Sequence, residues 1–171
     1  MIHNVSARVV CTAALLAMAA CNTAGEAAPT PGDAPQATVT AEADAPQGAT
    51  RMVVYKSPTC GCCANWVEHM RDAGFAVEVH DTADVAPVKH DHGVPGHLGS
   101  CHTAVVDGYV IEGHVPVEDI QRLLAERPEV AGIAVPGMPV GSPGMEMGSR
   151  KDPYDVVAFT KGGGVSVFAS H

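Results

Sequence analysis

Three cysteines fall within four positions, Cys60, Cys62 and Cys63, in the stretch SPTCGCCANW. A fourth, Cys101, is followed directly by His102 in SCHT, and His114 lies further on in EGHV. Two chemistries use such residues. Cys60 and Cys63 have the spacing of a redox dithiol, and a helix starting at them would make one of them a reactive thiolate. Alternatively, four thiolates and two imidazoles form a soft sulfur-and-nitrogen ligand set of the kind that selects Cu(I). Adjacent Cys62 and Cys63 do not easily share one ion without strain, but they can bridge neighbouring ions of a cluster. Zinc is satisfied by four ligands and would leave some over. An iron–sulfur cluster fits the ligands but suits an exported chain poorly. A purely structural disulfide framework is disfavoured, because a bridge between near neighbours constrains little of the unfolded chain.

The elements that must position these residues are legible on either side. RMVVYK is a β-branched run broken by Ser57-Pro58, which suits a buried strand. The cysteine loop leads into a helix with Trp66, Val67 and Met70 on one stripe, Glu68 and Arg71 facing away, and Gly74 as its stop. FAVEVH alternates as a second strand, and Asp84 caps a short helix over VAPVKHDHG. TAVVDGYVIEGHV is a hairpin turning at Asp107-Gly108. Pro116 opens a helix with Glu118 and Asp119 in its first turn, an apolar face of Val117, Ile120, Leu123 and Leu124, and Pro128 as its end. The expected fold class is α/β, in the order β-α-β-α-β-β-α, followed by a Met/Pro/Gly-rich loop and one more hairpin over YDVVAFTKGGGVSVFAS. This order resembles thioredoxins. By that resemblance Cys60 and Cys63 take the CxxC positions, Cys62 stands where thioredoxins have Pro, and His102 stands where their cis-proline precedes Thr. Cys101, His102 and His114 are then expected to meet the loop cysteines in space.

Other soft or basic side chains are expected to play lesser parts. Met138, Met145 and Met147 lie in VPGMPVGSPGMEMGS. The plainer expectation is that they pack on the core as a flexible lid, with thioether ligation of Cu(I) as the alternative. His90, His92 and His97 belong to a polar loop, His69 to a helix face, His80 to a strand end and His171 to the last position. None has a case as strong as His102 or His114. Trp66 is expected in the core.

The chain's start suggests export. VVCTAALLAMAA is too short to span a bilayer but fits a signal h-region, and AMAAC resembles a bacterial lipobox with Cys21 as the lipidated residue. Asn22 after it favours the outer membrane of a Gram-negative cell. The expected organisation is a signal peptide over 1–20, a lipidated Cys21 with an Ala/Pro-rich disordered tether to 50, and one folded domain over 51–171. Residues 51–171 hold nine Lys or Arg against fifteen Asp or Glu, and the whole chain has a net charge of −9. That balance argues against a nucleic-acid partner, which needs a basic face.

The motifs YKSPTCGCCANWVEHM, GVPGHLGSCHTAVVDGYVIEGHVPVEDIQRLLAERP and GMPVGSPGME together resemble the CopG-type family of periplasmic copper-resistance proteins, over about residues 51–160. The resemblance implies a thioredoxin-like fold with an added C-terminal piece, copper tolerance in the periplasm, and a multinuclear copper site on Cys60, Cys62, Cys63, Cys101, His102 and His114. It also implies copper ions, and other periplasmic copper-handling proteins, as partners. The combined expectation is a lipid-anchored protein that holds Cu(I) and cycles it with Cu(II), which would make it a copper oxidoreductase. Two rivals remain: a thiol–disulfide oxidoreductase of exported proteins using Cys60 and Cys63, and a zinc-stapled interaction domain.

Overall fold

The computed structural model describes residues 48–171; the expected signal segment, Cys21 and the expected tether as far as residue 47 lie outside them. Strand β1 (Arg51–Lys56) leads through the cysteine loop into helix α1 (Gly61–Asp72), and β2 (Ala76–Asp81) follows. Helix α2 (Ala86–Asp91) and a 3₁₀ turn (Gly96–Leu98) lead to β3 (His102–Val106) and β4 (Tyr109–Glu112). Helix α3 (Val117–Glu126) precedes β5 (Gly132–Ala134), β6 (Asp155–Phe159) and β7 (Val165–Ser170). The seven strands of the described residues form one sheet in the order β2-β1-β3-β4-β5-β6-β7. β1 runs parallel to β2 and antiparallel to β3, and the β3–β4 hairpin turns at Asp107 and Gly108, both at positive φ.

The expected element order holds through α3, but β5 is an addition. Its three residues, Gly-Ile-Ala, pair parallel with β4 and antiparallel with β6, so the C-terminal hairpin extends the sheet through it. Nothing local marks so short a strand; its identity comes from the two partners on either side.

The pleat divides the buried residues between two faces. Met52, Val54, Ala104, Val106, Ile111 and Ile133 join the main cluster with Trp66, Val67 and Met70 of α1 and Ile120 and Leu123 of α3. Val110, Ala134 and Phe159 form a smaller cluster with Leu98. Val85, not Asp84, is the N-cap of α2, which spans Ala86–Asp91 only; Asp84, one residue earlier, accepts a hydrogen bond from the Ala86 backbone N–H (2.9 Å). Because α1 packs through one stripe, its N-terminus projects at the end of β1, beside the start of β3.

Candidate metal centre

Cys60 is the N-cap residue of α1, and no side chain caps the helix there. Its backbone N–H bonds to Ser57 O (3.1 Å), and its carbonyl accepts the first bond of the helix, from Ala64 (3.2 Å). The first turn carries no acidic residue, so its free N–H groups favour negative charge on nearby sulfur. Cys63 is buried, while Cys60 and Cys62 are half-buried.

Facing this loop, Cys101 precedes β3 and His102 begins it. The register pairs His102 with Lys56 at the end of β1, which brings β3's first residues against the cysteine loop. One ligand atom from each of Cys60, Cys62, Cys63 and Cys101 lies within 4.8 Å of all the others, and the same holds for Cys101, His102 and His114. Cys101 belongs to both groups. Its Sγ lies 3.0 Å from His114 Nε2 and 3.4 Å from His102 Nδ1, while Cys60 and Cys62 Sγ are 3.4 Å apart. All six residues anticipated as ligands converge.

The protonation states follow from burial. Both imidazoles are fully buried, and burial pushes the His102 and His114 pKa values down, so both are neutral at pH 7. His114 Nδ1–H donates to Pro143 O (2.8 Å), which leaves Nε2 unprotonated and aimed at Cys101. Burial, reinforced by Cys62, raises the Cys101 thiol to about 11. Cys101 S–H therefore donates to His114 Nε2, and a soft metal ion would take the place of that proton. His102 packs against Trp66 (ring centroids 4.5 Å apart) and edge-on to His114 (5.0 Å), and its Nε2 has no hydrogen-bond partner. Sulfur with neutral imidazole nitrogen suits Cu(I) or zinc and excludes the hard, oxygen-seeking ions.

Cys60 and Cys63 are joined by a disulfide, leaving Cys62 and Cys101 free. This is the bridge that the dithiol spacing of Cys60 and Cys63 allows. The reason is geometric: one helical turn sets their Cα atoms 5.3 Å apart, within normal bridging range.

The loop after β5 closes one side of the site, by a device the sequence did not reveal. Gly144 lies so close to α1 that a Cβ there would sit 2.6 Å from Cys62 O and 2.8 Å from Trp66 N, and its φ is +82°. Glu146 accepts from Gly144 N–H (3.0 Å) and pairs with His69 Nε2 (2.8 Å). Backbone, not thioether, makes this contact. Met138 and Met147 are 52% and 64% exposed, which corrects the expectation of packing on the core for those two, while Met145 is half-buried. His90 pairs with Asp91, His80 with Glu78, and His171 with Asp119; His92 lies against Tyr55. None of these reaches the centre, and neither does His97.

The comparisons with known proteins fall on this same region. A family model described as a protein of unknown function, DUF411, matches residues 98–145, the span that includes Cys101, His102, His114 and the start of the covering loop. Two solved structures, form 1 and form 2 of a copper resistance protein, copG, are each 50% identical to this chain, with a TM-score of 0.69. Each match covers 72% of this chain and 98% of the other. No curated protein matches. With half its residues identical over two thirds of its length, and with a Cys/His cluster able to hold metal, the chain belongs to the CopG family of copper resistance proteins.

Proposed function

We propose that this protein is an exported, lipid-anchored copper-binding protein of copper resistance. It holds more than one Cu(I) through Cys60, Cys62, Cys63, Cys101, His102 and His114 and cycles it with Cu(II). The observation that carries this reading is the place of Cys101 in both ligand groups: a thiolate common to two groups is suited to bridging two ions. The alternation of strands and helices around the cysteine loop supports a thioredoxin-type scaffold. AMAAC and the acidic, Ala/Pro-rich stretch after it support attachment through Cys21 in the periplasm.

The disulfide gives the site two loading levels. With Cys60–Cys63 closed, Cys62, Cys101, His102 and His114 remain as ligands. Opening it takes two electrons and two protons from a dithiol reductant, which becomes a disulfide in turn, and adds two sulfurs. Elemental analysis of anaerobically purified protein after growth with copper tests this, paired with thiol counts before and after chelation. More than one copper per chain, with thiols titrating only after its removal and fewer ions held by the oxidised protein, is the expected result. Protein that stays empty through a Cu(I) titration overturns the reading.

The same disulfide favours a second reading, a thiol–disulfide oxidoreductase working through Cys60 and Cys63. It predicts disulfide reduction in a test substrate without copper, lost in Cys60→Ser. Attachment at Cys21 is tested separately, by the mass of the mature N-terminus.

A further inference from the structure

Strand β4 reads Tyr-Val-Ile-Glu, and its last residue, Glu112, is fully buried in an otherwise apolar strand. A carboxylate in that position costs desolvation, and a buried ion pair is on average no more stabilising than apolar packing of the same volume. Core stability alone therefore does not account for it. Its hydrogen bonds give a better account. Glu112 Oε1 accepts from the Ser100 backbone N–H (2.6 Å) and from Lys89 Nζ (2.6 Å). Glu112 Oε2 accepts from Thr103 Oγ1 (2.7 Å), and Lys89 Nζ also donates to Thr103 Oγ1 (3.1 Å). Ser100 and Thr103 flank Cys101 and His102.

We propose that Glu112 and Lys89 form a buried positioning pair that clamps the Cys101–His102 dipeptide from both sides and sets the geometry of those two ligands. The carboxylate grips the chain before Cys101 and the side chain after His102, so neither ligand can shift along the β3 axis without breaking a charge-assisted bond. Lys89, only 15% exposed, balances the charge, so the clamp leaves no net negative field beside the metal ligands. It also gives α2 a role. That helix buries none of its residues completely, yet it delivers the ammonium to the pair. Ser100 Oγ donates to Gly137 O, which extends the same brace to the loop over the site. The inference rests on the copper reading only for what the positioned ligands are for.

The test uses the full chain with the Cys60–Cys63 disulfide intact, so that Cys62 and Cys101 are the reactive thiols of the site. Iodoacetamide labelling, resolved by peptide mass mapping, gives a rate for each. Glu112→Ala removes all three bonds that Glu112 accepts and is expected to speed Cys101 labelling at least about tenfold, the scale of one charge-assisted hydrogen bond, while Cys62 is unchanged. Glu112→Gln, which keeps an acceptor for Ser100, is expected to fall between. Cu(I) affinity, measured against a competing chelator, should fall in the same order. Equal acceleration at both cysteines would mean general loosening, and no change at Cys101 would mean no clamp; either result overturns the proposal. If Glu112→Ala does not fold, the same ratio is read on Glu112→Gln and Thr103→Val. The labelling arm needs no copper, so a wild type that binds none would defeat the copper reading and leave the clamp to be judged alone.

Discussion

The two segments that supply the site's sulfur are built in opposite ways. The Cys60–Cys63 loop is local: three cysteines on one turn, two of them joined as a disulfide, with no side-chain cap and two half-exposed. The Cys101–His102 segment is tied from far along the chain, by Glu112, Lys89, Gly137 and, through His114, Pro143. One end can exchange a disulfide for two thiols without moving a strand. The other is held where its ligands change only if the brace breaks. A centre made from one adjustable and one fixed half can alter the number of free sulfurs it offers while keeping its place, which is the behaviour the proposed copper cycling would need.

The largest effect should come from attacking the fixed half. Cys101→Ser removes the sulfur common to both groups and should abolish copper binding, whereas Cys62→Ser should keep part of it; elemental analysis of both variants decides. Equal losses would erase the asymmetry. Next is the contact between the covering loop and α1. Gly144→Val combines a disfavoured positive φ with overlap against backbone, and should cost about 2–4 kcal/mol in thermal or chemical unfolding. Gly148→Ala is its control, with positive φ but nothing within 4 Å, and should cost about 1–2 kcal/mol.

Trp66→Phe tests a smaller tie between the halves. Trp66 Nε1–H donates to Val115 O (2.9 Å), and the loss should cost about 1–2 kcal/mol with the helix retained by circular dichroism. The weakest tie is the half-exposed His69–Glu146 pair, where His69→Ala should change stability by less than about 1 kcal/mol. Burial works to raise the Glu146 carboxyl, but the Gly144 N–H, its own backbone N–H and His69 outweigh it and hold its pKa below the usual value. The stabilisation is therefore present above the ordinary carboxylate range and fades as pH falls through the lowered pKa. Melting curves of wild type and Glu146→Gln should converge in acid and separate above it.

What was legible in the sequence follows the same division. The α1 stripe, the Asp107-Gly108 hairpin and the face of α3 carry local periodicity and turn chemistry, and each stands where that chemistry puts it. The six candidate ligand residues were legible because cysteine and histidine at such spacing have few other uses. Glu112 was not, because a carboxylate ending a strand reads as a solvated terminus until α2 folds Lys89 over it. Strand β5 and the seat of Gly144 were hidden for a related reason: each is defined by a partner distant in sequence. The state of Cys60 and Cys63 was open, since one spacing serves both a bridge and a pair of ligands.

The Pro143 carbonyl that fixes the His114 tautomer has a thermodynamic consequence. A cation on Nε2 makes the Nδ1–H a stronger donor, so it tightens the bond that holds the loop; a seated loop makes Nε2 a better ligand. If His114 holds an ion as proposed, loop and ion are each other's effectors. Whatever factor separates metal affinity between the seated and unseated loop must equally separate the loop's own equilibrium between the loaded and empty protein. A substitution at the loop's far end, touching no ligand, would be felt as a change in metal affinity.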